Sequence, residues 1–293
     1  MTDDAGVTVE AATIGGTGVM GSANGGDWQA AIRELAAIER PSASDGERRA
    51  AERIAARLEE LGCRTEIERE QAHGGYWWPI GLANAIAALA GAVALRRRGR
   101  ASRVLAAAAG GLSAAALWDD LGHGRRWFRK ALLPRRPTWN VIAEAGDPGA
   151  ERTVVLIAHH DAAHSGLVFH PALGRLGPRF LSRLHERSSH TLPVLYGVWL
   201  GPVMVCAGAV AGMWRLLRAG LILSFGAIDA MADIGLRSVV PGANDNLSAV
   251  GVLLGLAATL RERPVEGLRV LLLSTGSEES FSEGMQAYGD RHF

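Results

Sequence analysis

The spacing of hydrophobic positions changes character several times along this chain. From Asp27 onward Trp28, Ile32, Leu35 and Ile38 recur on one helical face, and Pro41 stops the helix. Ser44 and Glu47 form a capping-box pair ahead of a second helix, which should bury Ile54, Leu58 and Leu61 and end at Gly62. CRTEIERE then alternates like a strand. TWNVIAEA and TVVLIAHH read as two strands joined by the turn GDPGAER. Val154 to Ala158 in the second is a continuous aliphatic run, the signature of a strand covered on both faces. Asn246 to Arg263 predicts a helix ended by Pro264, and Leu268 to Ser274 another buried strand. Helices alternating with apolar strands predict a layered α/β unit.

Two blocks break that rhythm. Trp77 to Leu95 holds 19 residues without a charge before RRRGR, and Val104 to Trp118 adds 15 more. Thr191 to Trp214 is uncharged for 24 residues, and Ala219 to Ile228 continues after RLLR until Asp229 and Asp233. Roughly 20 apolar residues cross a bilayer core, which the first and third runs satisfy. Tryptophans at the ends (Trp77, Trp78, Trp118, Trp214) and clustered arginines suit a membrane–water boundary. Transmembrane helical hairpins at 75–136 and 188–236 are therefore expected, in a multi-pass plasma-membrane protein. Buried hairpins in a large soluble core are the competing expectation. The layered unit comprises 27–74, 137–187 and 237–293, and residues 1–26 are a flexible tail. Arg96, Arg97, Arg98, Arg100 and Arg103 mark one hairpin loop, and Arg215 and Arg218 the other. Arg125, Arg126, Arg129, Lys130, Arg135 and Arg136 crowd the opposite end of the first hairpin, so the charge rule leaves the side of the membrane open.

Composition adds bounds. The 293 residues are 48% hydrophobic with net charge +1, enough for one large domain or two small ones, and no reason to expect nucleic acid as a partner. Two cysteines, Cys63 and Cys206, exclude a four-cysteine zinc site and argue against a disulfide framework. The first residues, MTDDAGVTVE, lack the basic and apolar regions of a signal peptide. GGTGVMG matches a dinucleotide fingerprint through Gly16, Gly18 and Gly21, but no strand–helix–strand unit surrounds it, and nucleotide binding is set aside.

Three strand-end segments carry the chemistry. AHHDAAHSG follows the apolar run, and strand alternation puts His159 and Asp161 on one side with His160 opposite. PGANDNLSAVG places Asp245 in a turn before a helix, where an N-cap would be its ordinary use. LLLSTGSEES puts Glu278 and Glu279 just past a buried strand. Ligands collect at the carboxyl ends of strands in α/β sheets, and this set offers the nitrogen and oxygen donors that borderline metals take.

AHHD, GANDN and STGSEE, in this order and spacing, resemble the motifs of the co-catalytic dizinc aminopeptidases, peptidase family M twenty-eight. The likeness covers roughly 25–74, 137–170 and 237–290, with the apolar blocks as insertions. It implies a three-layer zinc-exopeptidase-like α/β fold around a central mixed sheet, incomplete at the C-terminus, and two zinc ions in a complete site acting on a peptide substrate. His159 would bind one zinc with Asp161 as its supporting acid, Asp245 would bridge the ions, Glu279 would bind the second, and Glu278 would be the general base. His160, His164 and His170 match no role. The family pattern needs a further aspartate and histidine downstream; Asp290 and His292 are chemically suitable but come too early. The expectation is the amino-terminal portion of a membrane-associated zinc exopeptidase, inactive as it stands. The alternative is a non-catalytic membrane or interaction protein on a degenerate peptidase fold. Substrate preference and oligomeric state leave no trace in the sequence.

Overall fold

The computed structural model describes residues 25–172 and 197–293. GGTGVMG and the first six residues of the Thr191 run lie outside them. The chain is built on a four-stranded mixed sheet in the order β1-β2-β4-β3, with helices packed on it and a separate helical bundle beside it.

Helix α1 (Gly25–Ala36) stops short of Pro41, because Ala37 and Ile38 turn back onto Glu34 and Leu35 with tight i→i−3 bonds. Helix α2 (Asp45–Glu60) starts where its cap predicts: the Ser44 hydroxyl accepts from Glu47 N, and Ile54 and Leu58 are buried. Strand β1 (Arg64–Ala72) pairs antiparallel with β2 (Arg136–Gly146), leaving Ile67 outward and Glu68 buried. GDPGAER does lead from β2 into β3 (Arg152–His159), but the two strands do not pair. β4 (Leu268–Thr275) lies between them, antiparallel to β2 and parallel to β3. β3 is thus an edge: among the described residues Ile157 on its open face is 49% exposed, and Val154, on the face shared with Ala158, is still 41% exposed. The expectation of a strand buried on both faces fails there, because aliphatic content measures β-propensity as well as burial.

The covered face packs on α2 and α8 (Ser248–Glu262). Ile54, Leu58, Val250, Leu253, Leu254, Ala257, Val270 and Leu272 form one core. At about 25 cal/mol per Å2, each of the isoleucine, leucine and valine chains contributes roughly 1.5–3 kcal/mol on burial. With its lead-in, α8 is one of four helices long and apolar enough to cross a membrane, but its apolar face is spent on this core.

The other three candidates are α3 (Trp77–Arg97), α4 (Arg100–Leu121) and α7 (Trp214–Leu236); the shorter α6 (Gly197–Ala211) packs with them. α3 and α4 form one hairpin, α6 and α7 another. Their interior is made of small residues: Ala83, Ala88, Ala94, Ala106 and Ala209 are buried there with Val205, Leu217 and Ile234. A Cβ on Gly220 would sit 2.7 Å from Val205 N, and one on Gly110 2.8 Å from Cys206 N, so these backbones touch. The bulky side chains point outward: Leu89, Val104, Leu112, Val210, Ile222 and Phe225 are all exposed. Short α5 (Trp127–Leu132) links the bundle to β2, and α9 (Glu283–His292) follows β4.

Candidate metal centre

The loops after β3 and β4 meet at one place. β3 and β4 are parallel and in register to His159 opposite Thr275, so both release their following loops at one edge of the sheet. The turn at Ala243–Leu247 delivers Asp245 to the same place. His159 Nε2 lies 3.2 Å from Asp245 Oδ1 and 3.6 Å from Glu278 Oε2. Donor atoms of His159, Asp245 and Glu279 lie within 4.8 Å of one another. Asp245 does not act as an N-cap: Leu247 occupies that position of α8, and the Asp245 carboxylate is 79% exposed, facing His159.

Asp161 organises the cluster from beneath. Its side chain is fully buried, and it accepts hydrogen bonds from Ser42 Oγ at 2.6 Å and from the amides of Glu278 and Glu279 at 3.0 Å each. Its Oδ1 also stands 3.4 Å from His159 Nδ1. One carboxylate therefore holds the glutamate pair through its amides and stands beside the histidine ring. Burial alone would raise the Asp161 carboxyl, but His159 and Ser42 hold it below the usual range. For His159 burial works downward, and Asp161 with both glutamates outweighs it, raising the imidazole to about 9. Burial, then Asp161, lifts Glu279 to about 8; burial also raises Glu278.

Two further buried residues hold the loops. Arg40 donates to His160 O at 2.6 Å, to Pro241 O at 2.8 Å and Gly242 O at 3.2 Å, and to Leu35 O and Ile38 O at 3.3 Å. It thereby ties the histidine loop to the Asp245 loop, and among the described residues no carboxylate pairs with it directly. Glu47 accepts from Ala43 N, Thr138 Oγ1, Trp139 N, Ser277 N and Ser277 Oγ, between 2.5 and 3.1 Å. Burial, then Asp161, pushes its carboxyl up to about 8 against those donors. Glu47 was legible as a cap; its hold on the loop before Glu278 was not. Arg40 and Ser42, in ERPSAS, gave no periodic signal.

The remaining candidates fall outside. His160 turns away, buried, with Nδ1 2.9 Å from Ser274 Oγ, and burial drops it to about 4. His164 Nδ1 bonds Arg237 O at 2.7 Å. Asp290 and His292 lie on α9, where His292 Nε2 meets Glu68 Oε1 at 2.8 Å.

The donor set fits a zinc-type ion. Ligands about 2.1 Å from a tetrahedral centre stand about 3.4 Å apart, close to the His159–Asp245 separation. Asp161, Asp245, Glu278 and Glu279 crowd one imidazole, an excess of negative charge that a dication would relieve. Only one such group of three occurs among the described residues.

No protein-family model and no curated protein matches the sequence. Among solved structures the chain is similar to an aminopeptidase from Aneurinibacillus sp. strain AM-1, with TM-score 0.44 and 12% identity over 90% of this chain and 65% of that one. It is also similar to a zinc aminopeptidase from Bacillus subtilis, at 0.43 and 13% over 91% and 64%. For a glutaminyl cyclase from Porphyromonas gingivalis the values are 0.40 and 13%, over 91% and 55%. The chain spans 44% of the Tannerella forsythia glutaminyl cyclase and 45% of that from Fimbriiglobus ruber. These likenesses are partial and stand apart from the assignment of the site, which rests on its own geometry.

Proposed function

We propose that this chain carries the metal-binding site of a membrane-attached zinc exopeptidase of the aminopeptidase type. The observation that supports it is the meeting of His159, Asp245 and Glu279 within 4.8 Å, with Glu278 at 3.6 Å from the histidine. His159, Asp245 and Glu279 would hold zinc, and bound zinc activates water and polarises a carbonyl. Asp161 orients the His159 ring and both glutamate amides. Glu278, partly exposed and raised by burial, is placed to take a proton from water and return it to a departing amine. A peptide amine would meet the exposed Asp245 side of the cluster. In a complete two-ion site Asp245 would be the shared ligand.

The outward apolar shell and small-residue interior of the bundle support the membrane attachment. Water favours the reverse arrangement, and lipid-embedded helices pack through small residues.

The test is zinc titration of the detergent-solubilised chain with its Glu278→Gln variant. About one zinc per chain, held equally by both and lost in the His159→Ala variant, is the expected result. Equal uptake by His159→Ala would overturn the assignment. In any form of the protein that turns over peptides, Glu278→Gln should lower kcat by about 10^2–10^4 while leaving zinc content alone.

A further inference from the structure

We infer that the site takes its substrate from the membrane surface: a peptide whose free end is presented by an anchored, amphipathic or lipidated flank. This rests on the metal-site reading above and adds where the substrate comes from.

The metal cluster and the end of the bundle are one piece of structure. Glu279 lines a small cleft of about 20 Å3 with Ser42, Tyr76, Trp77 and His164. Trp77 is the first residue of α3, and its ring packs on His164 at 4.4 Å between centroids. The loop that carries His159 and Asp161 runs on to pair with the segment leaving α7: Ser165 N donates to Ser238 O at 3.0 Å and Val240 N to Ala163 O at 2.9 Å. Pro241, next in line, accepts from Arg40. The first residue of one apolar helix and the exit of another thus form a wall of the site.

Charge locates the lipid boundary. Residues Ala219 to Ile228 of α7 carry no charge, then Asp229 and Asp233 follow. Asp233 bonds Leu167 N and Arg237, both at 2.6 Å, so the last two turns of α7 sit in a polar zone. Trp77 packs against Gly235 in those turns. From Asp229 to Leu236 is about 10 Å at 1.5 Å per residue. The end of α7, and the loops that pair with it beside the cluster, thus lie about one headgroup layer above the hydrocarbon, at the depth where tryptophan and tyrosine settle. Trp78, Leu167 and Phe169, exposed near that level, offer apolar contact to an anchored flank.

The experiment uses the full chain, zinc-loaded, in phosphatidylcholine vesicles. Three peptides share one amino-terminal sequence: one free, one joined to a transmembrane anchor by about three residues, and one by about thirty. The expected result is zinc-dependent binding of the short-spacer peptide at least as tight as the long, with both about tenfold or more tighter than the free peptide, since anchoring raises effective concentration. Failure to bind the short-spacer peptide alone, or equal binding of the free one, would overturn the inference and leave the metal-site reading standing. Depth is read independently of activity with a fluorophore on Val240→Cys in a Cys63→Ser, Cys206→Ser background, using lipid nitroxide-labelled at the headgroup. Strong quenching is expected; quenching only by a water-soluble nitroxide overturns the inference. Headgroup-depth quenching with no peptide bound would overturn the substrate inference, and failure to take up zinc would sink the metal-site reading with it.

Discussion

Asp161 is the residue on which most of the site depends, and its replacement separates charge from shape. In Asp161→Asn one oxygen becomes an amide nitrogen, which cannot accept from the glutamate amide or from Ser42. Losing a partner of this kind beside a metal ligand costs about 10–100-fold in metal affinity. Zinc titration by calorimetry should show that loss, with circular dichroism unchanged. Glu47 offers a parallel case without metal. In Glu47→Gln, whichever oxygen is replaced, at least two of the five donors lose their acceptor. A buried unsatisfied donor costs about 1–3 kcal/mol, so the denaturation midpoint should fall with little change in slope.

At the scale of elements, the seam between bundle and sheet is a buried ionic network. Arg129, fully buried on α5, sits 2.9 Å from Asp120 Oδ1 at the end of α4 and donates to Ser280 O at 2.7 Å. Glu283, the first residue of α9, accepts from the amides of His73 and Gly74 at 3.0 Å and from Ser280 Oγ at 2.9 Å. Arg126 and Arg129 stand 3.7 and 3.6 Å from it. Two arginines counted from the sequence as membrane-flanking charge are thus internal, because acids from distant segments meet them. Burial would raise Glu283, but His73 and Arg129 bring it down to about 2. A lowered carboxylate adds stability above its unfolded pKa, which is lost as pH falls toward the folded one. About 3 kcal/mol should therefore separate wild type from Glu283→Gln at neutral pH. That gap should close between about pH 4.5 and 2 in thermal melts, and a gap constant across that window would refute the ionic role. In the bundle, Gly220→Leu should force α6 and α7 apart and lower detergent stability by about 1–3 kcal/mol or more, as overpacking does.

For the whole molecule, the prediction concerns solvent. A bundle with Leu89, Val104 and Ile222 facing outward should stay in the membrane pellet after alkaline carbonate and leave it only with detergent. Release by carbonate alone would make these surfaces contacts between protein elements. Since α8 satisfies the same length and hydropathy yet packs on the sheet, truncation after the bundle should leave membrane retention intact.

Local order carried much of this into the sequence. Ser44 as a cap, four strands and two apolar hairpins follow from spacing, because helix and strand periods fix which side chains share a face, whereas Asp245, Glu278 and Glu279 are singled out by motif resemblance. Strand alternation alone put His159 and Asp161 on one side. What only the tertiary structure decided lies in contacts between distant segments. β4 enters between β2 and β3, making β3 an edge with Val154 and Ile157 open. Arg40 reaches across to Pro241 and Gly242, and Glu47 to Ser277; Asp161 gathers amides from a loop over a hundred residues away. A buried polar residue is defined by partners that folding brings to it, and no period in its own segment announces them.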